Sequence, residues 1–198
     1  MRSEKMFYFL LFLITFTEGF LLLAFELTSQ RIISVYFGSS LYVWSGIIGI
    51  TMLGLAIGYF IGGRLSEKNN LKTIQYVAVI PSFIFLLGLH LVSGILLEIF
   101  SGFELFTGLI IATIVLFLPF FVFLGTIPPL LISYYNKFSL QAGKATGYIY
   151  SVSTIGAILS AIFFGIYLIP YWGVNISIYL QLILLIILNG ILFILQKL

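Results

Sequence analysis

Long apolar stretches separated by short polar ones run the length of the chain. A helix needs about 20 predominantly apolar residues to cross a hydrocarbon core of roughly 30 Å. Six stretches qualify, at about 7–29, 42–63, 73–97, 106–134, 146–170 and 174–196. The connections between them are short, and no polar segment is long enough to form a second domain. The pattern predicts one all-α integral membrane domain of six transmembrane helices over residues 1–198. The alternative for residues 7–25 is a cleaved signal peptide with a basic start. Against it, the apolar run is long, Glu18 interrupts it, and no small-x-small cleavage site follows.

Composition points the same way. Of 198 residues, 62% are hydrophobic and 8% charged, where a soluble domain carries about 25% charged residues. So few charges cannot cover a soluble surface, so most of this surface is expected to face lipid. The chain has no cysteine, which excludes disulfides, thiolate metal sites and cysteine nucleophiles. It has no aspartate and one histidine, which leaves carboxylate-pair and multi-histidine metal chemistry almost nothing to work with. Neither a metal, a cofactor, a catalytic constellation nor a nucleic-acid face is expected.

Where the charges fall sets the orientation. Arg2 and Lys5 precede the first stretch. Arg64, Lys68 and Lys72 lie in the second connection, Lys137 and Lys144 in the fourth, and Lys197 in the tail. Eight of the nine basic residues thus fall on one side, with Arg31 the exception. Glu98 and Glu104 fall on the other side, and the connection Tyr171-Trp172-Gly173 has no charge. Lys and Arg concentrate on cytoplasmic loops, so both termini are expected in the cytoplasm and the protein in the cell (inner) membrane.

Two stretches are rich in small residues. The second carries Gly54, Gly58 and Gly62 at steps of four. The fifth carries Ser153, Ala157, Ala161 and Gly165 at the same steps, with Gly156 and Ser160 beside them. Lipid gives helices no hydrophobic reason to associate, and small residues every fourth position permit close backbone approach instead. These faces pack within one bundle or meet a second copy or another protein. The two helices are the middle members of two sets of three, a 3+3 arrangement like that of transporter halves. The glycines of "GLAIGYFIGGRLSEK", residues 54–68, also raise the question of a phosphate loop. A dinucleotide fingerprint opens a helix after a strand, whereas these glycines lie inside and at the end of an apolar helix. Gly63 and Arg64 then mark the cytoplasmic turn.

Few polar groups lie inside the predicted spans. A carboxylate near mid-membrane costs about 2.5–3.5 kcal/mol on insertion scales, so it faces protein or water and often has a function. Glu18 sits near the middle of the first span and has no partner close in sequence, which makes it the leading candidate for a proton or cation site. Glu26 lies near the outer end. It is either a further ligand candidate or half of an interfacial pair with Arg31, feasible if the helix ends near Ser29. His90, in the outer third of the third span, is a ligand candidate or a hydrogen-bonded packing residue. Ser177, Gln181 and Asn189 share a stripe of the sixth span suited to interhelical hydrogen bonds. Pro128-Pro129 predicts a kink in the fourth, whose broken backbone must face protein or a cavity.

Two blocks, "FELTSQRIISVYFGSSLYVWSGIIGITMLGLAIGYFIGGRLSEK" at 25–68 and "LGTIPPLLISYYNKFSLQAGKATGYIYSVSTIGAILSAIFFGIYLIPYWG" at 124–173, carry a resemblance. The matching pieces are Glu26 and Arg31, Phe37 to Tyr42 with Trp44, and Gly54 to Arg64. Further on they are Gly125 with Pro128, Gly143-Lys144 with Gly147, and Ser153 to Gly156. Together they resemble the membrane part of the membrane-bound spermidine-synthase-like proteins, fusions of a major-facilitator-like region with a spermidine synthase. About half the chain carries the resemblance, and the third span shows only hydrophobicity. It implies a major-facilitator-half-like fold, in which the second and fifth helices border the other half.

The same resemblance implies a catalytic aminopropyltransferase domain that this sequence does not contain, so its catalytic residues have no counterpart here. Aminopropyl transfer by this chain alone is not expected. Three functions follow from the resemblance. The first is a membrane subunit or anchor for a separate cytoplasmic aminopropyltransferase-like protein, facing it with basic loops that equally suit anionic lipid headgroups. The second is a small transporter of a polyamine, cation or metabolite that forms its path as a homodimer, with Glu18, Glu26 and His90 as lining candidates. The third is a purely structural remnant.

Overall fold

The structure, a computed structural model, describes residues 2–68, 70–136 and 142–197. Among these the chain is all-helical, with no strand. Lys137 and Gln141, both in the predicted fourth connection, lie outside the described residues.

Helix α1 spans Arg2–Phe37 and α2 spans Leu41–Leu65. The run Leu71–Ser101, called α3, contains a π-helical turn at Gln75–Val79. The run Leu105–Asn136, called α4, is broken at Phe117 and Thr126 into three pieces. Helix α5 is Ala142–Ile162, continued by a π-helical turn at Phe163–Leu168, and α6 is Ile169–Leu195. Five helical runs are long and apolar enough to cross a membrane, the last being Gly143–Leu195. This is the architecture of an all-α membrane protein.

The last run is not one rod. At 53 residues a straight helix would be about 80 Å long. It is interrupted at Gly173, where φ is 80° and ψ 179°, a backbone region open essentially to glycine alone. Before Gly173 the run meets α1 in ascending order, with Ser153 at Glu18 and Phe164 at Phe20 and Ala24. Beyond it the run comes back, with Gln181 bonded to Thr28 and Asn189 to Gln75. Ser177 donates to the carbonyl of Gly173 itself at 2.9 Å.

Helix α1 is longer than the predicted 7–29. The Gln30-Arg31 pair reads as a polar end in sequence, but the helix continues with Arg31 exposed and stops at Gly38, where φ is 79°. That continuation places Glu26 and Arg31, five residues apart, on different faces. No ion pair forms between them, and the expected interfacial pair is corrected accordingly.

Aromatic packing fills the centre. Phe25 of α1 sits 3.9 Å from Phe120, 5.2 Å from Phe121 and 6.0 Å from Phe117, measured between ring centroids. All four are fully buried. Beside this cluster α2 lies directly against α4. A methyl added to Gly54 would stand 2.5 Å from Phe121 Cβ, and one on Gly58 2.5 Å from the Val122 carbonyl oxygen. One on Gly62 would stand 2.6 Å from the Thr126 carbonyl oxygen. The Gly54–Gly58–Gly62 face is therefore used inside the chain, not left for another protein. Its partner is the kinked part of α4, where Gly125, Thr126, Ile127 and Pro128 are all buried. The broken backbone faces protein, as the prolines predict, and the Thr126 hydroxyl donates to the Phe123 carbonyl at 2.7 Å.

On α5 the small-residue row is displaced by one position. The buried row is Val152, Gly156, Ser160 and Phe164, while Ser153, Ala157 and Ala161 flank it half-buried and Gly165 is exposed. The reason is Gly156, the glycine in the middle of α5. A methyl there would collide with the Phe16 carbonyl oxygen, and one on Gly19 with that of Ser153. Closest approach centres on this glycine pair, and alanines in the neighbouring row carry a Cβ that holds the backbones apart.

The ends sort into two poles. At one, Phe7 and Tyr8 meet Tyr134 and Tyr135, the Ser133 hydroxyl donates to Ser66, and Gln196 donates to Gln75. Exposed Arg64, Lys72 and Lys144 belong to this pole. Arg64 lies over the Phe60 ring at 4.2 Å and Lys197 over Phe193 at 4.3 Å, with stems along apolar surface and charges at its edge. The opposite pole holds Arg31, Glu98 and Glu104.

Candidate functional site

Glu18 is the one ionisable side chain buried in the bundle among the described residues, at 1% exposure. Helix α1 presents it toward α5 because Gly19, the next residue, lets the two backbones touch. At that distance the Ser153 hydroxyl donates to Glu18 Oε2 at 2.8 Å. Two tyrosines complete the surroundings. Tyr59 of α2 and Tyr150 of α5 stand edge to face, 6.3 Å between centroids, and the hydroxyls of both lie within electrostatic range of the Glu18 carboxyl.

This grouping joins residues that the sequence kept apart. Glu18 stood out as an isolated intramembrane carboxyl, and Ser153 only as a member of a small face. Tyr59 and Tyr150 were not singled out. The available signal was hydroxyl-bearing aromatics inside otherwise apolar spans, Tyr59 directly beside Gly58. Thr15, one turn before Glu18, is occupied elsewhere, donating to the Leu11 carbonyl at 2.8 Å.

The remaining candidates do not join Glu18. Glu26 is half-buried, without Arg31 as a partner. His90 Nε2 lies 3.1 Å from the Tyr179 hydroxyl, with the rings edge-on at 4.9 Å. That contact ties α3 to α6 and is the packing role. His90 and Arg31 do line one recess of ≈ 260 Å³ at the outer pole, together with Ser93 and Asn175. Arg31 also lines a larger groove of ≈ 490 Å³ on its other side.

Two of the three polar residues in the sixth-span stripe bond across helices. Gln181 Nε2 donates to the Thr28 hydroxyl at 2.9 Å, and Asn189 Oδ1 accepts from Gln75 Nε2 at 3.0 Å. Gln75 in turn accepts from Gln196 Nε2 at 2.8 Å. Ser177 stays within its own helix. These bonds lock α6 to α1 and α3. Among the described residues, the buried Gln181 Oε1 is left without a hydrogen-bond partner, and the Glu18 carboxyl has one direct hydrogen-bond partner.

Chemically, the Glu18 group can hold a proton or a small bare ion. Its carboxyl is too enclosed to take an alkyl amine chain in this conformation. No protein family, curated protein or solved structure matches the chain.

Proposed function

We propose that this chain is a six-crossing protein of the cell membrane with both termini cytoplasmic, built like half of a major facilitator, and that Glu18 is its proton- or cation-binding group. The carrying observation is the carboxyl at 1% exposure, held by a single hydroxyl donor between three helices. A buried intramembrane carboxyl is costly, and proton relays and ion pathways are where such residues recur. The reversal at Gly173 supports the reading of 143–195 as two crossings, and the pole bearing Arg64, Lys72 and Lys144 supports the orientation. In this reading a translocation path is completed by a second copy, and the cargo is a polyamine, a cation or another metabolite. For a cargo as long as a polyamine, coupling runs through the proton on Glu18 and not through direct contact with the enclosed carboxyl.

Purified protein in liposomes tests this. An imposed pH gradient should drive uptake of labelled spermidine or a monovalent cation, and Glu18→Gln should reduce it to the level of empty liposomes. Uptake unchanged by Glu18→Gln removes the group from the mechanism. Reporter fusions at Gly102 and Gln141 test the topology. The two should report opposite sides, and a shared side sinks the six-crossing reading.

A second reading rests on the exposed basic pole and on the resemblance to spermidine-synthase-like proteins. There the chain is the membrane subunit of a soluble aminopropyltransferase-like partner. Co-expression followed by affinity purification should recover both, and recovery of the membrane chain alone ends that reading.

A further inference from the structure

Arg31, Ser39 and Trp44 belong to the first of the two blocks that carry the resemblance, yet none of them takes part in the Glu18 site. They converge on the ≈ 490 Å³ groove at the outer pole. Its volume falls within the roughly 300–1,000 Å³ of small-molecule sites. One wall is polar and near the surface, made by Gln30, Arg31 and Ser39 with the half-exposed Trp44. The other wall runs down toward the apolar interior, along Leu27, Gly165 and Ile169. Arg31 is exposed and pairs with no carboxylate among the described residues. The lower wall is open at Gly165, where, among the described residues, an added methyl would meet only Leu27 Cδ1, at 3.7 Å.

We propose that this groove binds an anionic phospholipid, its phosphate on Arg31 and one acyl chain along Leu27, Gly165 and Ile169. A guanidinium matches a phosphate with paired charge-assisted hydrogen bonds. Tryptophan favours the headgroup level of a bilayer, which places the polar wall where a phosphate lies. The apolar wall below it suits a chain that stays in the hydrocarbon. A free anion would use the upper wall and leave the lower one idle. The proposal does not depend on whether the chain transports anything.

The test uses the full chain in nanodiscs of phosphatidylcholine doped with phosphatidylglycerol, with retained lipids counted by native mass spectrometry. The wild type should retain phosphatidylglycerol preferentially. Arg31→Gln should lower that preference about ten-fold, as loss of one charge-assisted contact implies, and Arg31→Lys should restore part of it. Gly165→Leu keeps the charge but fills the lower groove, and should lower retention as well. Millimolar sodium phosphate should not displace the lipid. No preference in the wild type, or unchanged preference in both Arg31→Gln and Gly165→Leu, overturns the proposal. Displacement by inorganic phosphate also overturns it, assigning Arg31 to a free anion instead.

Discussion

Gly58→Ala puts the helix contact to a quantitative test. The added Cβ would lie 2.5 Å from the Val122 carbonyl oxygen, 2.8 Å from Gly125 Cα and 2.9 Å from the Gly125 carbonyl carbon. Ordinary Cβ contacts begin at 3.4 Å, so the shortfall is 3.4 − 2.5 = 0.9 Å. All three obstructing atoms are backbone, so no side-chain rotation relieves the clash and α2 and α4 must separate. Overpacking of this kind costs about 1–3 kcal/mol. At about 2–4 °C per kcal/mol for a chain of this length, the lost contact alone should lower the melting midpoint by about 2–12 °C. Gly49→Ala is the internal comparison. It lies in the same helix, and a methyl there meets nothing within 4 Å. Both changes gain the same helix propensity, about 0.8–1.0 kcal/mol, so their difference isolates the contact. The assay heats detergent-solubilised protein and follows the monodisperse fraction by size-exclusion chromatography. Equal midpoints for the two variants refute the α2–α4 contact.

Two further substitutions probe other joints in the same heating assay. Gly173→Ala forces a side chain into φ 80°, ψ 179° and should cost about 1–3 kcal/mol; no loss of midpoint would mean that the chain does not reverse there. Gln75→Leu removes two bonds to Asn189 and one from Gln196, and at about 0.6 kcal/mol per interhelical bond in a membrane it should cost about 2 kcal/mol. An unchanged midpoint would show that this polar joint does not hold α3 to α6.

The spans were legible because run length and apolarity are properties of single segments. The Gly54–Gly58–Gly62 stripe was legible as a close-packing face for the same reason, since a helix's own periodicity places those residues together. What they pack against was not, because the partner α4 is specified by a second segment. The end of α1 was misread at Gln30-Arg31. A polar pair signals a helix end only where its side chains cannot reach water, and Arg31 reaches it from within a continuing helix. The α5 row was off by one residue because the stripe was counted by smallness alone. Glycine and alanine differ by the Cβ that decides whether two backbones can touch, and weighting Gly156 above Ala157 would have found the buried row.

That distinction also determines the chemistry. Glu18 was legible as an anomaly but not as a site, since its partner lies 135 residues away. The register between α1 and α5 brings Ser153 to the carboxyl, and Gly19 against Ser153 with Gly156 against Phe16 sets that register. Slide α5 by one turn and the hydroxyl leaves the carboxylate while the apolar contacts reform with other members of the same row. Apolar side chains in lipid discriminate weakly between such registers, because neighbouring turns offer similar surfaces. The glycine pair discriminates strongly, because only one alignment lets the backbones meet. Close packing and the buried carboxyl are thus two consequences of the same two glycines, which makes the helix contact part of the site and not merely its scaffold.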